Sequence, residues 1–588
     1  MIIFNPNPLA MTRYFRLLLL LPLFCNAQTW QWGKRGGAFD EMFNGGGASL
    51  TNRREQVYSM ATDSQRNVYV LSAVALTSLD IDGVPKTNFG DSNSKQDIAL
   101  ASFACDGTYR WSKIIGGGGQ EVVPTLQVDA DGNVYVAGKF VSNNYLYPPR
   151  IDDDVILTVD DQHSSMLFIV KYSPDGVMQW FKRPQPDDTP IENGLFKTRS
   201  FALAMDKTTS TAYWLVEIPD GPIGEGAFVN TLGRKFFILK YNAQGNLTGT
   251  IGPLDIQYDG GYLDTLHFYR NPYNGYFYMY AMKDSAAATI TLGGQTTNKC
   301  FVLACFNEQG QFQWMRTDTT TNVYYSCLFD LTFDTDNSLY IAGRLSINNI
   351  DSFLGVSSNT NVNPPFVMKT DPTASTVIWS SYANKQADNC GGIALNGDEV
   401  GFAGRANAAN FTWGGQVLNV NTIGEGSEAL LARFNKTTGA CIALTKIPGD
   451  AGYDDVGSAL TVDAAGDYLF GGGIGHQMTF ASGDIYNDGL ETDFFVAKYA
   501  TAPCQPLGLN DNQNDGFGLY PNPVDKQMVV SSSTSARYVL VDMTGKQLAK
   551  GNLSEGENIL ETASLPPGVY LLKIQNHKTT VTLRVVKK

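Results

Sequence analysis

A chain of 588 residues has room for several domains or one large repeat array, and 59 glycines with only 17% charged residues suit an all-β protein rich in tight turns. The formal net charge of −14 argues against a nucleic-acid partner, which needs a basic patch. After the N-terminal segment no apolar run is long enough for a membrane-spanning helix, so the mature chain is expected to have none.

The start of the chain reads as an export signal. Met11-Thr12-Arg13-Tyr14-Phe15-Arg16 is a basic region, Leu17–Phe24 an apolar one, and Cys25-Asn26-Ala27 a small-x-small cleavage site. Residues 1–27 are therefore assigned to a signal peptide, with Met11 the better initiator. Beyond it stand Cys105, Cys300, Cys305, Cys327, Cys390, Cys441 and Cys504, an odd number with no Cys-x-x-Cys spacing. Most are expected to be buried thiols. Cys327 and Cys390, at similar positions in adjacent repeats, are the first candidates for a disulfide.

From Trp30 onward one hairpin recurs. Its best copy is Leu126–Phe140, where a short apolar strand meets the turn Asp129-Ala-Asp131-Gly132-Asn133 and returns as Val134-Tyr135-Val136-Ala137. Copies follow the same pattern at 57–72, 201–216, 263–280, 331–343, 393–404 and 460–472. A second hairpin alternates with it, best seen as Phe168-Ile-Val-Lys171-Tyr172-Ser-Pro-Asp-Gly176-Val-Met-Gln-Trp180. Its tryptophan position reads Trp111, Trp180, Leu247, Trp314, Trp379 and Leu444, a period of about 67 residues.

Four strands per period make a β-propeller blade, and seven first hairpins make seven blades. The last repeat, ending at Phe494–Tyr499, lacks its tryptophan strand, and an unattached one stands at Trp30–Lys34. The N-terminal strand is therefore expected to complete the seventh blade and close a ring over residues 28–502. The Asp-x-x-Gly-Asn and Ser-Pro-Asp-Gly turns lie at one end of each blade. Long connections (141–166, 217–235, 281–299, 344–365, 405–428 and 473–492) lie at the other, where ligand binding is expected.

Residues 503–516 are polar and turn-rich, a linker. In 517–588 short strands at regular spacing, with turns such as Met543-Thr544-Gly545-Lys546, fit a small Ig-like β-sandwich. The expected fold class is thus all-β, a seven-bladed propeller followed by a small sandwich.

Two resemblances follow from these motifs. Residues 30–500 resemble the bacterial seven-bladed β-propeller repeat family, through Asp-x-x-Gly-Asn-Val-Tyr-Val-x-Gly, Phe-Val-x-Lys-Tyr and Gly-x-x-x-Trp segments; this implies a fold rather than an activity. The tail resembles the C-terminal sorting domain of type IX secretion cargo. The motifs are Leu519-Tyr520-Pro521-Asn522-Pro523, Val541–Lys546 around Gly545, Leu565–Lys573 with Gly568, Tyr570 and Lys573, and the terminal Arg584-Val585-Val586-Lys587-Lys588. The resemblance implies export across the outer membrane by that system's translocon, with a sorting receptor or sortase as partner, and either surface anchoring or release. Pro521 and Pro523 fix an extended entry, and the dibasic end is expected to be exposed for a receptor.

Catalytic and cofactor chemistry finds little to stand on. The Asp129–Asn133 turn resembles a calcium loop, but its twelfth position is Phe140. Ser173-Pro174-Asp175-Gly176 resembles a sialidase Asp-box, but its Asp and Gly are adjacent. Asp152-Asp153-Asp154 with Asp160 and Asp161 could supply paired carboxylates for glycoside hydrolysis, though an exposed acidic loop is the simpler reading. His163, His267, His476 and His577 lie in unrelated segments, and no His-Glu-x-x-His or Gly-x-Ser-x-Gly occurs. No catalytic, cofactor or metal residue is assigned. The expected function is an exported binding or structural module for a glycan or protein ligand; the competing class is an extracellular polysaccharide-active enzyme, a glycoside hydrolase or lyase.

Overall fold

The computed structural model describes residues 28–38, 55–75, 78–89, 96–118, 122–142, 147–158, 164–184, 198–259, 263–283, 287–321, 327–346, 351–385, 391–407, 409–420, 426–450, 452–487, 492–504, 517–520, 524–542, 545–576 and 580–587. All regular structure among them is β-strand. Among the described residues no helix is long and apolar enough to cross a membrane. Contacts divide the chain into two units, 1–503 and 504–588. Residues 1–27, read above as an export signal, and most of residues 503–516 lie outside the described residues.

In the first unit strands pair as the repeat requires. Blade 2 is typical: Val122–Val128, Val134–Ser142, Ser164–Tyr172 and Met178–Lys182 pair antiparallel in chain order from the channel outward. Third strands, flanked on both faces by neighbouring blades, are buried throughout, as in Gln96–Phe103 and Asp493–Ala500. This is why they read as nearly continuous apolar runs. Outer strands such as Met178–Lys182 are only partly covered.

The expected closure is present. Thr29–Ala38 pairs antiparallel with Asp493–Ala500, from Thr29 opposite Ala500 to Gly36 opposite Phe494, and supplies the fourth strand of blade 7. Seven apolar cores, one at each junction between blades, complete the ring. At the closing junction Trp32, Phe494 and Val496 pack with Val57, Val70 and Ala99. Burial at these junctions, at about 25 cal/mol per Å² of apolar surface, is the main term holding one blade to the next.

The second unit is a two-sheet sandwich. Phe517–Tyr520, Gln527–Ser532 and Gly556–Glu561 form one sheet; Gln547–Leu553, Ala536–Asp542, Gly568–Gln575 and Thr580–Lys587 form the other, in those spatial orders. Inward-facing Met528, Val530, Leu540, Leu572, Ile574 and Val585 make its core. Alternation along each strand puts these residues on one face.

Candidate functional site

The acids of the first hairpin are structural. Asp129 Oδ1 accepts the Asp131 and Asn133 amides at 3.0 and 2.9 Å, and Oδ2 accepts the Tyr135 hydroxyl at 3.1 Å. Asp63 does the same with Gln65, Asn67 and Tyr69. In blade 7 the wholly buried Lys498 donates to Asp463 at 2.8 Å. The Lys of Phe-x-Val-Lys-Tyr therefore serves the Asp of the neighbouring turn. A carboxylate whose lone pairs are so engaged has a full structural role at the turn.

The acidic loop is likewise engaged. Asp152 accepts the Ile114 amide at 3.0 Å and lies 3.3 Å from Lys86 Nζ, while Asp153 and Asp154 pair with Arg150 and Lys113. These three carboxylates make the turn of a hairpin, Arg150–Ile151 with Val155–Ile156, and do not converge on a common point where a sugar could sit. Asp160 and Asp161 lie outside the described residues.

That hairpin is one of a set. The long connections were expected to be binding loops; among the described residues they also fold back onto the outer strand of the preceding blade or the segment that follows it. Ser78–Ile81 pairs with Thr29–Ala38, Arg150–Ile151 with Tyr109–Gly116, and Thr289–Leu292 with Ile256–Asp259. In the hairpin at 221–230 the Gly224 amide reaches Pro184 O at 2.7 Å. Single bridges do the same at Asp318–Phe353, Ala383–Trp413 and Gly449–Met478. Much of the connecting backbone is thus committed to stapling adjacent blades. The buried Asn230 and Asn487, whose amides donate to the carbonyls of Pro219 and Ile474, close two of these hairpins. An asparagine at the end of the hairpin, as at Asn230 and Asn487, was the sequence signal for these two.

Among the described residues the channel offers a concavity. A cavity of about 790 Å³ lies at its long-connection end, where first strands start and second strands finish, within the size range of small-ligand sites. Its wall includes Tyr58, Gln127, His267, Tyr269, Asp330 and Ser458, drawn from five blades. Several of these polar groups also join blades. Gln127 donates to Leu203 O at 3.0 Å, Ser458 to Val57 O at 2.6 Å, and Tyr269 to Asp330 at 3.1 Å, with Asp330 also accepting the Ile393 amide at 3.0 Å. Burial pushes the Asp330 carboxyl up to about 6.

His267 is different. Its ring stacks 5.5 Å from Tyr280 and 6.4 Å from Tyr269, and it has no hydrogen-bond partner among the described residues. Burial pushes it down to about 4, so at neutral pH it offers the cavity an uncharged imidazole with one donor and one acceptor. Cys327, also on the wall, is a free buried thiol raised by burial, and so a poor nucleophile. The Cys327–Cys390 disulfide is therefore not formed; Cys390 lies outside the described residues. Cys300, Cys305 and Cys441 are also buried thiols outside any disulfide, while Cys105 and Cys504 are each disulfide-bonded.

His476, which sequence spacing left isolated, pairs through Nδ1 with Asp450 Oδ2 at 2.5 Å and stacks on Tyr453 at 4.5 Å. His163 and His577 lie outside the described residues.

In the tail, Gly545 at φ +84° closes the turn in which its amide donates to Asp542 O at 3.0 Å, a conformation that favours glycine. The Tyr570 ring is buried and its hydroxyl donates to Pro566 O at 2.7 Å; Gly568 begins the same strand. Tyr520 and Lys573 are exposed. Lys587 departs from the expected exposed end: its side chain is only 8% exposed, 3.8 Å from Asp525. The Val524 amide donates to Val586 O at 2.7 Å, which holds the terminal strand against the entry segment. Pro521, Asn522, Pro523 and Lys588 lie outside the described residues.

No curated protein matches the chain. Among solved structures, polysaccharide lyase Uly1 matches at 8% identity and a TM-score of 0.37, covering 82% of this chain and 98% of that one. Quinohemoprotein alcohol dehydrogenase ADHIIG from Pseudomonas putida HK5 matches at 10% identity and 0.34, covering 84% and 79%. A protein of unknown function from Dyadobacter fermentans matches at 9% and 0.33, covering 79% and 98%. Residues 518–588 match the family described as "Secretion system C-terminal sorting domain", and the tail of this chain is such a sorting domain.

Proposed function

We propose that this chain is type IX secretion cargo, delivered to the cell surface or the medium by its tail, whose closed propeller works there as a binding or structural module. The observation that carries the reading is the sorting domain at 518–588 joined to a complete ring. In this reading residues 1–27 direct passage to the periplasm and are removed. The translocon and its sorting receptor or sortase then act on the tail, through the motif residues Tyr520–Pro523, Gly545, Gly568, Tyr570, Lys573, Lys587 and Lys588. The ligand seat is placed in the channel cavity, because the stapled connections have spent much of their backbone on neighbouring blades, whereas His267 keeps both ring nitrogens available. A glycan or a peptide loop of a protein ligand could enter such a cavity, which suits binding.

The experiment is fractionation of the native bacterium expressing the full chain or a chain lacking residues 517–588. The truncated chain is expected to accumulate in the periplasm with its propeller folded. Normal surface or extracellular delivery of the truncated chain would refute the reading.

A further inference from the structure

The sorting domain is electrically two-faced. Residues 517–588 hold nine Lys and Arg against five Asp and Glu, on a chain whose net charge is −14. Strand register shows where they lie. Across the outer face of the four-stranded sheet Lys550 stands opposite Val539 and Val539 opposite Lys573, while Leu571 stands opposite Arg584 and Val541. Arg537, two residues from Val539, lies on the same face by the period-2 rule. This face bears four cations and, by register, no acid. Arg537, Lys550 and Lys573 are exposed and have no acidic partner among the described residues.

The outer face of the three-stranded sheet has the opposite sign. There Glu561 stands opposite Gln527, Glu557 opposite Ser531, and Ile559 opposite Val529. Glu557 and Glu561 are exposed.

We propose that the outer face of the four-stranded sheet is the surface by which the tail docks onto an acidic protein surface of the export machinery; this rests on the sorting function proposed above. The sign of the partner follows from charge complementarity, which steers encounter and excludes like-charged surfaces. A protein, as opposed to an anionic glycan or lipid, follows from the arrangement of the cations. They flank the half-buried Val539 and Leu571, with Lys550 and Lys573 on either side of Val539 and Arg584 beside Leu571, and apolar side chains set among charged ones are the anatomy of a protein interface. A polyanion needs only the charges.

The test uses the full chain in its native bacterium. The variant R537E/K550E/K573E reverses the face, E557K/E561K reverses the other face, and a chain lacking residues 517–588 reports on sorting itself. All three positions of the first variant are exposed, so the sandwich should still fold; resistance of the periplasmic chain to protease checks this. Export of the first variant is expected to fall by about tenfold or more, with export of E557K/E561K near wild type. As a second readout, R537K/K550R/K573R, which keeps the charges, should be exported normally. If deletion of 517–588 blocks export but the reversed basic face does not, docking by this face is wrong and sorting stands. If deletion itself leaves export unchanged, the sorting reading fails. Normal export of the first variant with loss of cell-surface retention would overturn the protein partner in favour of an anionic glycan.

Discussion

The indole of Trp180 lies over Gly245 of the next blade, and its Nε1–H donates to Ala243 O at 3.0 Å. The same latch joins Trp111 to Gly176 and Pro174 O at 2.8 Å, and Trp32 to Gly107 and Cys105 O at 3.0 Å. Trp379 reaches Gly439 and Lys436 O at 3.1 Å. Two motifs of the repeat, the tryptophan of one blade and the turn glycine of the next, are thus halves of one contact. The glycine supplies both the left-handed turn and the room for the ring.

This predicts a difference between glycines of similar backbone conformation. At Gly176, φ +77°, an added Cβ would stand 2.6 Å from the Trp111 ring, whereas at Gly83, φ +78°, it would meet nothing within 4 Å. Gly83→Ala should cost only the conformational strain, about 1 kcal/mol. Gly176→Ala adds overpacking of a filled junction and should cost about 2 kcal/mol or more. Urea unfolding of both variants measures this, and equal losses would count against the latch.

Closure by the N-terminal strand gives a second expectation. Trp32 is almost wholly buried in the core between blades 7 and 1. Trp32→Ala should destabilise the propeller by about 3–5 kcal/mol, as for other buried aromatic deletions. If the melting temperature were unchanged, the strand would be an ornament and the ring would hold without it.

Much of this architecture was legible in the sequence because the repeat writes it seven times. The unmatched strand at Trp30–Lys34 and the missing one after Tyr499 specified closure by count, before any contact was known. The stapling hairpins were not legible as such. Strands of two to four residues, such as Arg150–Ile151 and Phe411–Trp413, are too short to show a period of their own. The Asp450–His476 pair was equally hidden, since its partners come from segments separated by two strands. The channel was hidden for a further reason: its wall takes one or a few residues from each inner strand, and their convergence depends on ring closure.

Stability should depend on pH through Asp318. Burial and then the nearby Asp351 push its carboxyl up to about 8, so the folded chain binds a proton there that the unfolded chain releases near pH 4. A raised carboxyl contributes fully only below the unfolded value, and the contribution is lost as pH rises toward the folded one. Stability should therefore fall between pH 5 and 8, by at most about 1.4 kcal/mol per unit from this group. Asp455, raised to about 7 by burial and then by neighbouring acids, acts in the same direction. Asp463 acts oppositely: burial alone would raise it, but the hydrogen bond and charge of Lys498 outweigh that and hold it low. Its contribution is lost only at more acid pH, whereas His267, held down to about 4 by burial, offsets part of the decline below its unfolded value near 6.5, so the fall should be clearest between pH 6.5 and 8. Chemical unfolding at pH 5, 6, 7 and 8 should show the decline, and Asp318→Asn should reduce it, most clearly between pH 7 and 8 where Asp455 contributes least. A wild-type profile already flat would dismiss the raised carboxyl.

The hairpin at 221–230 allows stapling to be separated from global stability. Asn230 is buried, and its side-chain amide donates to Pro219 O at 2.9 Å and Gly233 O at 2.8 Å, tying both ends of the connection together. Asn230→Ala removes the donor and leaves those carbonyls to find water in a confined place, a loss of about 1–3 kcal/mol. Because the hairpin lies outside the four-stranded core of blade 3, that loss should appear first as local opening. Limited proteolysis should nick the variant within 219–234 well before the propeller unfolds, with the thermal midpoint little changed. Cleavage no faster than wild type would show that the hairpin is held by its strand pairing alone, Gly221–Asn230 through Ile223–Phe228, and that the asparagine is not its clasp.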